Sequence, residues 1–363
     1  MADSGGHWKT LAEAQKLTQS TKIPGVIEND IKRNNPLERV PVAQAAGTGL
    51  KIEWLREKTT TDDAVTEAAV GQQLVWGDDV EYTEVESTLR YIYLQRKLDR
   101  YVQGIYGTYN DYKAQVLLEM EKGLKRVVGD RFIYGDTTYG GTPTQFDGLH
   151  ALAAENSTPN SATLIAAAAT DYSNLNFDAE TLGLSITSLR QIIDAMLFGC
   201  DEIWVPWNIG IRLDAAYEEM GMVRLASATA GSMATFSKGI SDIGKPILYF
   251  AGIPVLRTDY LMKEQEGTGT GATANRRGKY ASGTITYSVF GVRYGNVMER
   301  DPGLCYAFGG TSNAGDLYEL VLWENLEDYN AGGMRMNSYG TVLLGSPKCV
   351  ARIADVTDVA VIA

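Results

Sequence analysis

Histidine is almost absent from this 363-residue chain, which carries only His7 and His150. A histidine-rich metal centre is therefore excluded, and neither histidine sits in a pattern that marks catalysis. Cysteine is also scarce: Cys200, Cys305 and Cys349 are odd in number, widely spaced and without a CxxC pair. That disfavours a disulfide framework or zinc cluster and predicts small buried thiols. No apolar run reaches the roughly 20 residues that span a bilayer. Residues 1–6 have neither the basic flank nor the apolar stretch of a secretion signal, so a soluble product made in the cytoplasm is expected. Basic charge is short as well, with 33 Lys and Arg against 45 Asp and Glu and a net charge of -12. Such a surface repels phosphate at long range and argues against sequence-specific nucleic-acid binding. The acidity is uneven, because residues 1–40 carry net +1 and leave -13 for the rest.

What is present is enough apolar material for a core, at 44% hydrophobic residues in a length that suggests about two domains. Residues 1 to about 42 read as an arm, with one short helix over 10–17 and breaks at Pro24, Gly25, Asn34, Asn35 and Pro36. The arm has too little apolar surface to fold alone, so it needs a partner surface or stays mobile. Leu50, Ile52 and Trp54 alternate with Lys51 and Glu53, which predicts a half-buried strand. A second strand returns through Val80 and Tyr82. The two bracket about 25 residues poor in large apolar side chains, unusually long for a loop inside a compact domain. A projecting two-stranded loop that packs on another molecule fits this best; an ordinary surface hairpin is the plainer alternative.

Residues 89–94 are rich in β-formers. Val116, Leu117, Met120, Leu124, Val127 and Val128 then recur with helical spacing and predict a helix over 111–134, capped by Asn110 or Asp111. Leu182, Ile186, Leu189, Ile193 and Met196 predict a second helix, capped by Asp178 and ended by Gly199. Residues 202–206 read as strand, followed by a helix capped by Asn208 and closed by Gly221. Strands are expected over 247–250, 253–256, 284–297, 317–323, 334–345 and 349–354, and a glycine, threonine and arginine loop over 266–278. The mixed order predicts α+β.

Catalytic patterns are missing. Residues 239–246 have phosphate-loop spacing but end in Pro246 where a hydroxyl should stand, and the chain then reads as strand. Gly267, Gly269 and Gly271 match a dinucleotide fingerprint only in glycine count. No Gly-x-Ser-x-Gly elbow occurs. Asp78, Asp79, Glu81, Glu84 and Glu86 alternate along an extended strand, so they suit a solvated or partner-facing surface better than a metal site. A basic surface should meet them, and Arg276, Arg277 and Lys279 are candidates. Twenty tyrosines against eight phenylalanines suit surfaces that are half apolar and half wet. The chain reads as a self-assembling structural protein, with neither catalytic site nor cofactor. An enzyme would be favoured only if the structure gathered a buried cluster of titratable groups.

In layout this chain resembles the major capsid proteins of tailed bacteriophages, the Hong Kong ninety-seven type fold. The resemblance rests on the order of the arm, the two-stranded loop, the long helix, Phe146-Asp147-Gly148-Leu149, the helix beginning near Asp178, Glu202-Ile203-Trp204-Val205-Pro206, and Gly252-Ile253-Pro254-Val255. It implies an arm over 1–48 and an extended loop (E-loop) over 49–88. A peripheral domain over 89–150 and 306–337 would hold the spine helix 111–134, and an axial domain would take 151–305 and 338–363. It further implies hexamers and pentamers closing an icosahedral shell around double-stranded DNA, with no sequence-specific contacts and no membrane. The virion capsid would be its location. Expected partners are other copies, a portal protein at one vertex, a separate scaffolding protein and a cementing protein. An encapsulin-like compartment around a cargo enzyme is the alternative within the same fold. Trp54, Arg56, Lys58, Trp76, Asp78, Asp79, Glu81, Arg276 and Arg277 are the expected inter-subunit residues. Lysine-to-asparagine crosslinking, known among relatives, has no identifiable partner residue here.

Overall fold

The computed structural model describes residues 31–45, 51–57, 67–73, 82–106, 112–137, 144–154, 175–179, 182–226, 236–240, 246–265, 285–309, 317–327 and 330–362. The short helix expected over 10–17 and the loop over 266–278 lie outside them. Strands β1 (Val42–Gln44), β2 (Lys51–Glu57), β3 (Tyr82–Thr88) and β4 (Arg90–Asp99) come first, then helices α1 (Arg100–Tyr106), α2 (Tyr112–Tyr134) and α3 (Leu149–Ala154). Strand β5 (Asn176–Asp178), helix α4 (Ile186–Ala195), strand β6 (Glu202–Pro206) and helix α5 (Trp207–Ala226) follow. The remaining strands are β7 (Phe236–Ile240), β8 (Pro246–Phe250), β9 (Ile253–Thr258), β10 (Glu264–Gln265), β11 (Ile285–Val292), β12 (Leu304–Phe308), β13 (Glu319–Trp323), β14 (Ala331–Leu344) and β15 (Val350–Val356).

Three sheets result. In the first, β12, β13 and β4 all pair antiparallel with the long β14, and β1 adds in parallel to β12. The second runs β5-β15-β11-β6-β9-β8-β7, with β10 also on β11. The third is the β2–β3 ribbon alone. Strand β14 continues unbroken through 337/338, where a domain boundary was expected.

Helix α2 is the long helix expected from its spacing. Its Val116, Met120, Leu124, Val128 and Phe132 are buried in the first core, against Leu98, Met334, Met336, Tyr306 and Val342 of the first sheet. Alternation along β6 joins this core to the second. Trp204 points into the first core, while Ile203 and Val205 point into the second with Leu189 and Ile192 of α4 and Ile209 and Leu213 of α5. Strand β6 is therefore buried on both faces, as an interior strand with neighbours on each side requires.

Two helices differ from expectation at both ends, and α4 stops at Ala195 with Met196 as its cap, ahead of Gly199. Asp178 lies in β5, which pairs with β15 through Asp178 and Ala354. The cap of α4 is Ser185, whose hydroxyl accepts from Thr187 N at 3.2 Å. Leu182, 55% exposed, stands outside the apolar stripe that it seemed to begin. Helix α5 starts at Trp207 and runs through Gly221 to Ala226. Asn208 is inside it and donates to the Tyr287 hydroxyl at 2.6 Å. The strands around residue 240 form the β7–β8 antiparallel pair, and β8 turns into β9 through Ala251 and Gly252, both at positive φ. Gly252, at φ 85°, is the residue type that turn needs.

Candidate functional site

The end of the arm is stitched onto its own subunit, so it does not wait for a neighbour as its composition suggested. Arg33 reaches Asp259 with Nε at 3.0 Å and Nη2 at 3.3 Å and lies 3.7 Å over the Trp207 ring. Asn34 donates to Arg257 O at 2.6 Å, and Thr258 returns a bond to Asn34 O at 2.8 Å. Asn35 caps the 3-10 turn Pro36–Glu38, and Leu37 and Val40 enter the first core. Gly129 of α2 makes room for this passage, because a Cβ there would stand 2.5 Å from Asn35 Oδ1 and 2.8 Å from Tyr260. Polar side chains thus supply what the arm lacks in apolar surface.

Arg39 then meets Glu202, a 7% exposed carboxylate at the start of β6. Glu202 accepts from Arg39 Nη1 at 2.5 Å, from the Tyr294 hydroxyl at 2.6 Å and from Trp204 Nε1 at 3.1 Å. Burial, reinforced by Glu202, pushes the Tyr294 phenol far up, so it stays a donor.

The β2–β3 ribbon has two unlike faces. Ile52 and Trp54 pack on the Ala43, Cys305, Ala307 and Leu343 cluster of the first sheet. Arg56 lies 5.6 Å from the Trp54 ring and donates from Nε to Gly345 O at 2.7 Å and from Nη2 to Leu344 O at 2.5 Å. A groove of about 980 Å³ runs beside them, lined among others by Phe198, Arg300, Pro302 and Lys348. The opposite face carries Glu53, Leu55, Glu57, Tyr82, Glu84 and Glu86 in exposed positions, with Leu55 69% and Tyr82 63% exposed. Glu53 stands directly across from Glu86. Lys51 neutralises part of that charge at 2.5 Å from Glu86, and its ammonium is raised by the Glu86 hydrogen bond and charge, with Glu53 and Glu84 adding to it. Like charges in cross-strand register destabilise a ribbon, so this face suits a basic or desolvating neighbour.

Trp54 and Arg56 are thus brought together, against their own chain. Lys58, Trp76, Asp78, Asp79, Glu81, Arg276 and Arg277 lie outside the described residues. The cysteines are free, and burial pushes the thiols of Cys200 and Cys349 up to about 12 and raises that of Cys305. Such thiols are poor nucleophiles.

A buried cluster of titratable groups does exist. Gly135 and Gly148 approach so closely that a Cβ on Gly148 would stand 2.6 Å from Arg131 O and 2.8 Å from Gly135 N. That turn sets His150 of α3 beside Tyr134 of α2, ring centroids 4.8 Å apart, with Phe290 edge-on at 5.1 Å. Glu264, on β10, is the hub. Its Oε1 is 2.9 Å from His150 Nε2 and 3.1 Å from the Tyr134 hydroxyl. Its Oε2 accepts from Ser288 Oγ at 2.6 Å and faces Arg352 Nη2 at 3.4 Å. Each of these side chains is 5% exposed or less. Burial is the largest influence on Glu264 and works to raise it, but His150, Arg352 and Ser288 outweigh it and leave the carboxyl lowered. Burial lowers His150, Glu264 opposes and Arg352 assists, so the imidazole is neutral at neutral pH. Burial then Glu264 hold the Tyr134 phenol well above its usual range. The carboxylate is answered by a guanidinium, and the cluster is closed to solvent. Its members are scattered from 134 to 352, and no sequence motif links them.

Two joined cores, an arm end stitched onto them and a two-stranded ribbon packed by one face on the first sheet make up an α+β subunit. No family model matches the chain, and no curated protein matches it. Solved structures do. The chain is similar to the holo-SrpI encapsulin complex from Synechococcus elongatus PCC 7942, at 10% identity over 97% of both chains with a TM-score of 0.59. It is similar to the capsid of Myoviridae phage XM1, at 8% identity over 94% of this chain and 97% of that one, TM-score 0.57. It is also similar to the capsid of cyanophage P-SCSP1u, at 12% identity over 93% of both chains, TM-score 0.53. The chain has the Hong Kong ninety-seven type capsid fold.

Proposed function

We propose that this chain is a major capsid protein, a coat subunit that assembles as hexamers and pentamers into an icosahedral shell around packaged double-stranded DNA. The observation that carries the reading is fold similarity over 93–94% of the chain to capsid structures that share almost no sequence with it. The acidic composition supports it, since a shell confines DNA without reading it. In this reading the role is structural and not catalytic. The first sheet with α2 forms the peripheral domain and the second sheet the axial domain. The ribbon lies over a neighbouring subunit, and Lys58, Trp76, Asp78, Asp79, Glu81, Arg276 and Arg277 contribute to contacts between copies. Trp54 and Arg56 set the ribbon's base, while Leu55, Tyr82 and Glu84 present its outer face. A portal protein, a separate scaffolding protein and a cementing protein complete the particle, with the virion as its location.

The similarity to an encapsulin complex favours a second reading, a compartment shell around cargo. Size exclusion followed by electron microscopy of the purified chain tests both. Closed shells, tubes or rings of five or six support a shell subunit, and enclosed DNA or enzyme then separates the two readings. A monomer at every concentration, with or without co-expressed neighbours from its own operon, refutes both. Deleting residues 59–77 should leave a folded subunit that assembles poorly; normal shells from that variant would refute the role given to the ribbon.

A further inference from the structure

Where α2 and α3 of the first core abut β10, β11 and β15, Tyr134, His150, Glu264, Thr286, Ser288, Arg352 and Asp355 are all buried. We propose that His150, Glu264 and Arg352 form a proton-sensitive lock that holds the α2–α3 corner against the base of the β10–β11 hairpin, closed while His150 is neutral.

Three observations lead there. First, the lock joins the helical corner to three strands that pair with one another but not with it. Tyr134 and His150 come from the helical corner, Glu264 from β10, Ser288 and Thr286 from β11, and Arg352 and Asp355 from β15. Glu264 sits opposite Thr286 in the β10–β11 register, so its carboxylate anchors that hairpin at its root. Second, the site has no place for another proton. His150 Nε2 lies 2.9 Å from Glu264 Oε1 without hydrogen-bond geometry, and Nδ1 has no hydrogen-bond partner among the described residues. A neutral ring leaves only a bare lone pair there, whereas an imidazolium would bury an unanswered N–H. Third, the surrounding charges are already committed. Glu264 answers Arg352, whose Nε also donates to Ser288 Oγ at 3.1 Å. Asp355 accepts from Thr286 Oγ1 at 3.2 Å. The Tyr134 hydroxyl accepts from Met262 N at 2.8 Å and stays protonated.

The direction with pH follows. The His150 proton affinity is lower in the folded chain than in the unfolded one. The unfolded state therefore binds more protons below the ordinary histidine value of about 6.5. Stability from the lock is full above that value and falls with acidification until the folded midpoint is reached. Within that window the folding equilibrium loses up to about tenfold per pH unit.

The chain's two histidines make the test direct. In full-length His7→Ala, the one remaining imidazole resonance should titrate below 6.5. Urea midpoints of native chain and His150→Gln should converge as pH falls from 7 to 5, the native chain losing more. Hydrogen exchange across 134–150 should rise with acid in the native chain and not in His150→Gln. An ordinary His150 midpoint, or equal pH dependence in both chains, overturns the lock. The His7→Ala titration keeps the lock intact and decides the matter even if His150→Gln does not fold. The proposal concerns a single subunit, so its failure leaves the shell reading untouched, and failure to assemble leaves the lock untouched.

Discussion

Replacing Glu202 should weaken the subunit by an amount that depends on what replaces it. Arg39 is 46% exposed at the side chain, so its pair with Glu202 is screened and adds about 0.5–1 kcal/mol. The bond from Tyr294 to an ionised acceptor adds about 1.5–3 kcal/mol, and a Trp204 indole left without an acceptor costs about 1–3 kcal/mol. Glutamine can keep its oxygen toward Tyr294 and Trp204, the two donors that share Oε2, and turn its amide toward Arg39. Glu202→Gln should therefore cost about 1–2 kcal/mol, the Arg39 pair plus the charge in the Tyr294 bond. Glu202→Leu strands all three donors and should cost about 3–5 kcal/mol. Urea unfolding of the unassembled chain at a constant slope reads the differences. Arg39→Ala alone should cost about 0.5–1 kcal/mol, and combined with Glu202→Leu it should add nearly nothing, since the pair is already gone. A Glu202→Leu chain within about 1 kcal/mol of native, or full additivity with Arg39→Ala, would refute the hub assigned to this carboxylate.

Gly129→Ala should cost about 1–3 kcal/mol by pressing a methyl against Asn35 and Tyr260, and limited proteolysis should then cut sooner within 31–40. Phe132→Ala, at 0% exposure in the first core, should cost about 3–5 kcal/mol by thermal or urea unfolding. Lys51→Ala, at an exposed partner of Glu86, should leave the urea midpoint nearly unchanged. Under native conditions at pH 8 a thiol reagent should leave Cys305 and Cys349 unlabelled, whereas denaturant should expose all three cysteines; rapid native labelling of Cys349 would contradict its raised thiol.

Elements with one wet face were legible in the sequence, because alternation or helical spacing records that face. The β2 strand shows it through Ile52 and Trp54, and α2 through Val116, Met120, Leu124 and Val128. Elements buried all round carry no such alternation; 202–206 and 349–354 still read as strand, but β12 did not. Strand β12, Leu-Cys-Tyr-Ala-Phe, is enclosed nearly throughout and reads as an apolar run without period. Short pieces such as β1 and β5 carry no local signal of their own and draw their definition from pairing with β12 and β15. Asp178 looked like a cap because Asp favours that place, but a strand partner prevailed over local propensity. The Glu264 cluster stayed hidden for a further reason. Its histidine, glutamate and arginine are each unremarkable in their neighbourhoods, and only packing of the two cores brings them together.

The path of residues 31–45 gives the subunit a mechanical character. Tension on the chain ahead of Ile31 reaches Lys32 over the Tyr260 ring and the forked Arg33–Asp259 contact, then the Asn34 and Asn35 bonds, then Leu37 and Val40 in the core. Farther along, β1 lies parallel to β12, so a pull toward the N-terminus slides the two strands lengthwise and loads their hydrogen bonds together in shear. Bonds loaded in this way share the force, whereas a peeled strand gives them up one at a time. The arm is consequently moored at several points in series, and a strain imposed on it by whatever it grips is delivered to α2 of the first core and to β9, whose Leu256 and Val255 enter the first and second cores.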